Sequence, residues 1–207
     1  MSKLRSIAAL AFMAALVAGC ERNPLLVKRS ACPAVAIPNF TGDVTLFNDG
    51  ESRDASAIDV VATITNLRGI CDDGADKLGT NVSFDVVARR TSARGPRIVS
   101  LPFFASVVQG GSTLISKQLG AVTLNFADGQ LRTQASGAAH ADVTRASATL
   151  PKKIQDEVSR KRKAGDLDAA TDPLADPEVK AAIRAISFEV LVGFQLDDAA
   201  LGYNVLK

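Results

Sequence analysis

Tryptophan is absent from the 207 residues, and tyrosine and histidine occur once each. So few ring platforms argue against a chain built to stack bases or sugars. A lone histidine, His140, leaves no set of imidazoles for a metal centre. Charge of either sign is not in excess: 24 basic against 22 acidic residues give a net +2. A near-neutral total argues against a general nucleic-acid binder, which neutralises phosphates with many cations. Long apolar runs are lacking as well. The run Ile7–Val17 near the N-terminus has eleven residues, whereas a membrane span takes about 20.

That short run has a distinctive setting. Lys3 and Arg5 precede it, and the small residues Ala18 and Gly19 follow, then Cys20. A basic start, a short apolar centre and a small-residue exit describe a secretory signal peptide better than a transmembrane helix. The sequence Val17-Ala18-Gly19-Cys20 resembles the lipobox of bacterial lipoproteins. The resemblance implies diacylglyceryl transfer to the Cys20 thiol, cleavage before it, and acylation of the new amine. Several acyl chains hold a protein at a bilayer far better than one. In Gram-negative lipoproteins an Asp after the cysteine often retains the protein at the inner membrane. Glu21 stands there instead, so the expected location is the periplasmic side of the outer membrane, with the outer leaflet of the inner membrane as the alternative. Removing residues 1–19 takes two basic residues with it, so the remaining chain is neutral.

Two cysteines then remain, Cys32 and Cys71. In an oxidising compartment such a pair forms a disulfide. Metal binding is the alternative, but two thiols 39 positions apart with one distant histidine make a poor ligand set. Residues 20–35 read as lipidated N-terminus and tether, and 36–207 as a single domain. Pro33 and Pro38 bracket an extended approach to it.

Beyond the tether the apolar period is mostly two. Val44–Phe47, followed by a turn at Asn48-Asp49-Gly50, Ile58–Thr65, Val82–Ala88, Ile98–Val108, Leu114–Phe126 and Phe188–Leu196 read as strands. The stretch from Asn66 to Gly79, rich in glycine and aspartate, reads as a loop. Pro102 marks its strand as an edge or bulged one. Asp128-Gly129 is a hairpin tip. Leu131–Leu150 reads as a strand pair or one bent strand of small residues. A helix of three to four turns is expected from Pro151 to Gly165, and a second short one from Pro177. The fold class is therefore mainly β: an antiparallel β-sandwich, immunoglobulin-like on strand count and spacing, with a helical insertion at about 151–184 before the last strand.

Chemistry is sparse. His140 and Asp142 share a strand face, but no Gly-x-Ser-x-Gly elbow accompanies them and Ser136 has no distinguishing context, so no catalytic residue is assigned. Asp72 to Asp76 group carboxylates around Gly74 without the register of a calcium loop. No metal or cofactor is expected. The most informative arrangement is electrostatic. Lys152, Lys153, Arg160, Lys161, Arg162 and Lys163 fall within twelve residues, and an acidic stretch, Asp166 to Glu178, follows. It reads either as a solvated, internally balanced segment or as a contact surface for anionic headgroups or an acidic partner. The expected function is a lipid-anchored, non-enzymatic structural or interaction module of the cell envelope. It is held to the membrane by its lipid and bound to another envelope protein, with exposed strand edges as further contact surfaces. A carrier of lipid or another small apolar ligand, with room left by the small residues from Ala135 to Ala148, is the alternative; a hydrolase using His140 ranks last.

Overall fold

The computed structural model describes residues 30–48, 52–160, 162–163 and 165–207. The lipobox with Cys20, the tether up to residue 29, Asp49 and Gly50 of the expected turn, and Lys161 lie outside the described residues. Among the described residues eight strands make two four-stranded sheets. One has the order β2-β3-β4-β7, from Asp43–Phe47, Ile58–Asp73, Lys77–Arg90 and Arg132–Thr144; the other has β1-β8-β5-β6, from Ala34–Ala36, Phe188–Phe194, Arg97–Gln109 and Thr113–Phe126. Pairing is antiparallel throughout, except that the short β1 runs parallel to β8. The sheets face each other as a sandwich. Spacing between strands does not dictate connectivity, and here β2, β3 and β4 form a meander with β7 beside it.

The period-two reading of Val82–Ala88 is borne out, and in β4 the alternation extends beyond it in both directions. Leu78, Val82, Phe84, Val86 and Ala88 point inward and are buried, while the alternate positions face solvent. They meet Val99, Leu101, Phe103, Val122, Leu124, Val190, Val192 and Phe194 from the other sheet in one apolar core. Asp59 of β3 and Arg97 of β5 clamp the two sheets together. The guanidinium donates to both carboxylate oxygens at 2.6 and 2.5 Å, and this bond raises the Arg97 pKa.

The expected loop from Asn66 to Gly79 is not a loop. β3 runs on to Asp73 and pairs with β4 as far as Leu78, leaving a turn only at 74–76. Asn66 takes a left-handed backbone, φ 52°, which asparagine tolerates, and the register shifts there as a bulge. Gly69 is needed because a Cβ there would fall 2.4 Å from Val35 Cγ2 of β1. Glycine and aspartate thus serve close approach and solvent exposure within a strand. The Cys32–Cys71 disulfide forms across this region, with Cα atoms 6.0 Å apart and a sequence separation of 39. It ties the N-terminal segment to the far half of β3, and a loop of that length is worth about 3–4 kcal/mol.

Pro102 lies on β5, an interior strand between β8 and β6, and the bulge of that strand is elsewhere, between Val107 and Val108. The proline fits because its carbonyl accepts from Gln195 N–H, 2.9 Å, just past the end of β8. Its missing N–H therefore faces the side where the ladder has already stopped. Leu131–Leu150 resolves into the single strand β7 and a short 3₁₀ turn, Ala146–Ala148.

Of the helices, α1 spans Lys152–Ser159 and α2 spans Pro177–Ala185. The first has eight residues, little more than two turns. Its apolar stripe ends at Val158, and the run from Arg160 to Lys163 offers nothing to bury, so the helix stops where packing stops. The second begins as expected, with Asp176 accepting from the N–H groups of Glu178 and Val179 at 2.7 and 3.3 Å. A third, α3, covers Asp198–Leu206 at the C-terminus. Its buried Asn204 donates to the carbonyls of Phe40 and Asp43 at 2.8 and 2.7 Å and so covers the outer edge of β2.

Candidate functional site

The outer face of the β2-β3-β4-β7 sheet gathers most of the polar chemistry. Register sets Asn81 opposite His140 and Gly79 opposite Asp142. The absent side chain at Gly79 leaves a gap over which His140 and Asp142 lie, 3.4 and 3.5 Å from where a Cβ would stand. His140 Nδ1 is 2.8 Å from Asn81 Oδ1, and Nε2 is 3.1 Å from Asp142 Oδ1. The shared face that strand spacing predicts for His140 and Asp142 is therefore real. In its neutral form the ring donates through one nitrogen only, and the Asn81 amide then turns to donate to the other; in its protonated form both nitrogens donate. Both ring nitrogens thus already face a partner on this sheet. Ser136 lies four residues along the same strand, about 13 Å away, and gives its hydroxyl hydrogen to Asp85.

Asp85 accepts two side-chain hydrogen bonds on this face. The Asn66 amide, at 2.9 Å, holds its carboxyl below the ordinary value, and the Ser136 hydroxyl, at 2.8 Å, adds to the effect. Because the folded-state pKa is depressed, the associated stability is present above the unfolded-state pKa and disappears as pH falls through the folded-state one. In Asn66→Ala the Asp85 titration, followed by carboxyl NMR, is expected to move up towards the ordinary range. An unchanged midpoint would mean that the amide does not set it.

Of the carboxylates at the β3–β4 turn, Asp73 holds an arginine. Arg145 pairs with Asp73 and donates to the Gly74 carbonyl at 2.8 Å. Among the described residues no group of three or more histidine, cysteine or acidic side chains is placed to hold a metal ion.

The basic cluster is not displayed on one helix. Lys152 and Lys153 open α1, Arg160 is its C-terminal cap, and Arg162 and Lys163 lie in the following segment. Three of these five cations are paired within the insertion. Lys153 Nζ donates to Glu178 at 3.0 Å and joins α1 to α2; this bond raises its pKa. Arg160 pairs with Asp168, and Arg162 reaches the same carboxylate at 3.2 Å. Burial pushes the Asp168 carboxyl up, but the Arg160 charge, a backbone hydrogen bond and Arg162 together outweigh it and the net pKa is lowered. Lys152 and Lys163 point to solvent. Between 151 and 184 the sequence has eight basic and seven acidic residues, so the insertion presents little net field. This geometry fits an internally balanced segment better than an outward cationic surface.

A surface cleft of about 430 Å³ lies between the N-terminal segment, α1 and the start of β8. Its wall is mixed: Ser30, Thr149, Gln155, Ser187 and Glu189 alternate with Ala31, Leu150, Ile186 and Phe188. No protein-family model matches the chain, and neither does any curated protein or solved structure.

Two features went unremarked in the sequence. One is Arg90, fully buried at the inner end of β4 and bonded to four backbone carbonyls. The other is the exposed first half of β6. The first was within reach, because Arg90 continues the inward register of Val82, Phe84, Val86 and Ala88.

Proposed function

We propose that this chain is a lipid-anchored, non-enzymatic β-sandwich module of the bacterial cell envelope, acylated at Cys20 and held on the periplasmic side of the outer membrane. The observation that supports it most is the Cys32–Cys71 disulfide. Such a bond persists in an oxidising compartment, which is where a chain with this leader is delivered. Ser30 is ten residues from Cys20, so the domain stays within about 36 Å of its anchor. The occupied ring nitrogens of His140 and the balanced charges of the insertion direct attention away from catalysis and headgroup binding, towards contact with other proteins.

Intact-mass analysis of the membrane-extracted protein tests the anchor. The expected species starts at Cys20 and carries two or three acyl chains. An N-terminus elsewhere, or an unmodified Cys20, would remove the anchor. In-cell crosslinking tests the role: an envelope protein captured reproducibly supports it, and turnover of a substrate by the purified chain would overturn it.

A further inference from the structure

β6 is an edge strand. β5 lines one side of it, and no described strand pairs with the other. At its far end Thr133 of β7 donates its hydroxyl to the Asn125 carbonyl at 2.7 Å. That carbonyl points away from β5. Alternate residues of a strand direct their N–H and C=O to the same side, and the β5 register is regular from Lys117 onwards. Lys117, Leu119 and Ala121 therefore also turn their backbone groups outward. Three large apolar side chains here are uncovered, Leu114, Ile115 and Leu119, exposed by 59, 51 and 69%, with Ser116, Lys117 and Gln118 between them. A long edge of this kind is a template for another strand.

We propose that a second copy of this chain occupies the edge, β6 against β6, antiparallel about a two-fold axis at Leu119. The register follows from the sequence of the edge itself. An axis at Leu119 sets Lys117 opposite Ala121 of the other copy, so no like charges meet. An axis at Lys117 would bring two ammonium groups together, and one nearer Asn125 would run into β7. Leu119 also stands beside Phe104 in the β5 register. The two-fold thus lays Phe104 and Leu119 of each copy in one unbroken apolar row across an eight-stranded sheet. Lys117, the only charge on the free edge, folds over the Phe104 ring at 5.1 Å and clears the seam. This closed, self-complementary contact is the usual form of a two-fold dimer. It does not rest on acylation.

Sedimentation of the full acylated protein in detergent, over a concentration series, tests the pairing. The wild-type chain is expected to pass from monomer to dimer. Leu119→Lys, which sets two cations on the axis, is expected to weaken association by at least about tenfold. Ile98→Lys alters a residue that is 72% exposed on interior strand β5 and is expected to leave association unchanged. A photo-crosslinker at position 119 in otherwise wild-type protein is expected to join two copies near residues 117–121. A chain monomeric throughout, equal weakening by both lysine variants, or crosslinks from 119 only to a different polypeptide would overturn the proposal.

Discussion

Arg90→Ala is expected to lower stability by about 3–5 kcal/mol, and the melting temperature by about 10 °C for a chain of this size. The side chain is 2% exposed, and its only described hydrogen-bond partners are carbonyls. Nε donates to Gln130 at 2.7 Å and Nη1 to Gly95 at 2.8 Å, while Nη2 donates to Ala93 and Ala127 at 2.9 Å each. The guanidinium also stands 5.2 Å from the centre of the Phe126 ring. One residue thus pins the β4–β5 connection to the β6–β7 turn, at the end where the sheets come together. Removing it leaves the Gln130 and Gly95 carbonyls without the donor that holds them, and it opens the space below. Arg90→Lys keeps the charge but loses the fork that reaches four acceptors, so it is expected to recover less than half of the loss. Thermal melts of both variants, with amide exchange across 91–96 and 127–131, check this. Wild-type exchange in those loops would show that the arginine is not what holds them.

Arg90 also shows how much of the fold was legible. The alternation that placed Val82, Phe84, Val86 and Ala88 on one face placed Arg90 there too, two positions further on. What the pattern does not contain is the acceptors, because they are backbone carbonyls 3 to 40 residues away. The longer strands, the disulfide and the insertion before the last strand follow from local period and cysteine number, whereas the short β1, Ala34–Ala36, does not. The strand hidden in Asn66–Asp73 does not, because its glycine answers to Val35 and its aspartates to solvent. α1 came out short because a run of cations can be helical in propensity and still have nothing to pack. The C-terminal helix was missed, although Asp197, which accepts from the Ala200 N–H at 2.7 Å, is an ordinary N-cap. For the candidate site, the His140–Asp142 pair was readable from spacing. The free edge of β6 was not, because which strand lies beside it is a property of the sheet order.

The small residues of β7 test the interior in the same spirit, and Phe84→Ala is the second variant expected to be severe, at about 3–5 kcal/mol. Phe84 stands edge-on to Phe103 of the opposite sheet, with ring centres 5.1 Å apart at 77°. A Cβ at Gly137 would meet Phe84 Cζ at 2.3 Å and Val122 Cγ2 at 2.9 Å. Gly137, between Ala135 and Ala139 on the inner face of β7, is therefore where that strand closes over the Phe84 ring. Room for an acyl chain is a different matter, and the two readings separate cleanly. With the wedge, Gly137→Val destabilises on its own by about 1–3 kcal/mol. Adding Phe84→Ala then costs less than the sum of the single changes, by about 1–2 kcal/mol, since the valine enters the space that the ring vacates. With a lipid site, Gly137→Val would leave the melting curve in place and abolish any lipid retained in native mass spectrometry. Denaturant melts of the two single variants and the double variant decide between them, and additive costs would mean that Phe84 and Gly137 do not share one space.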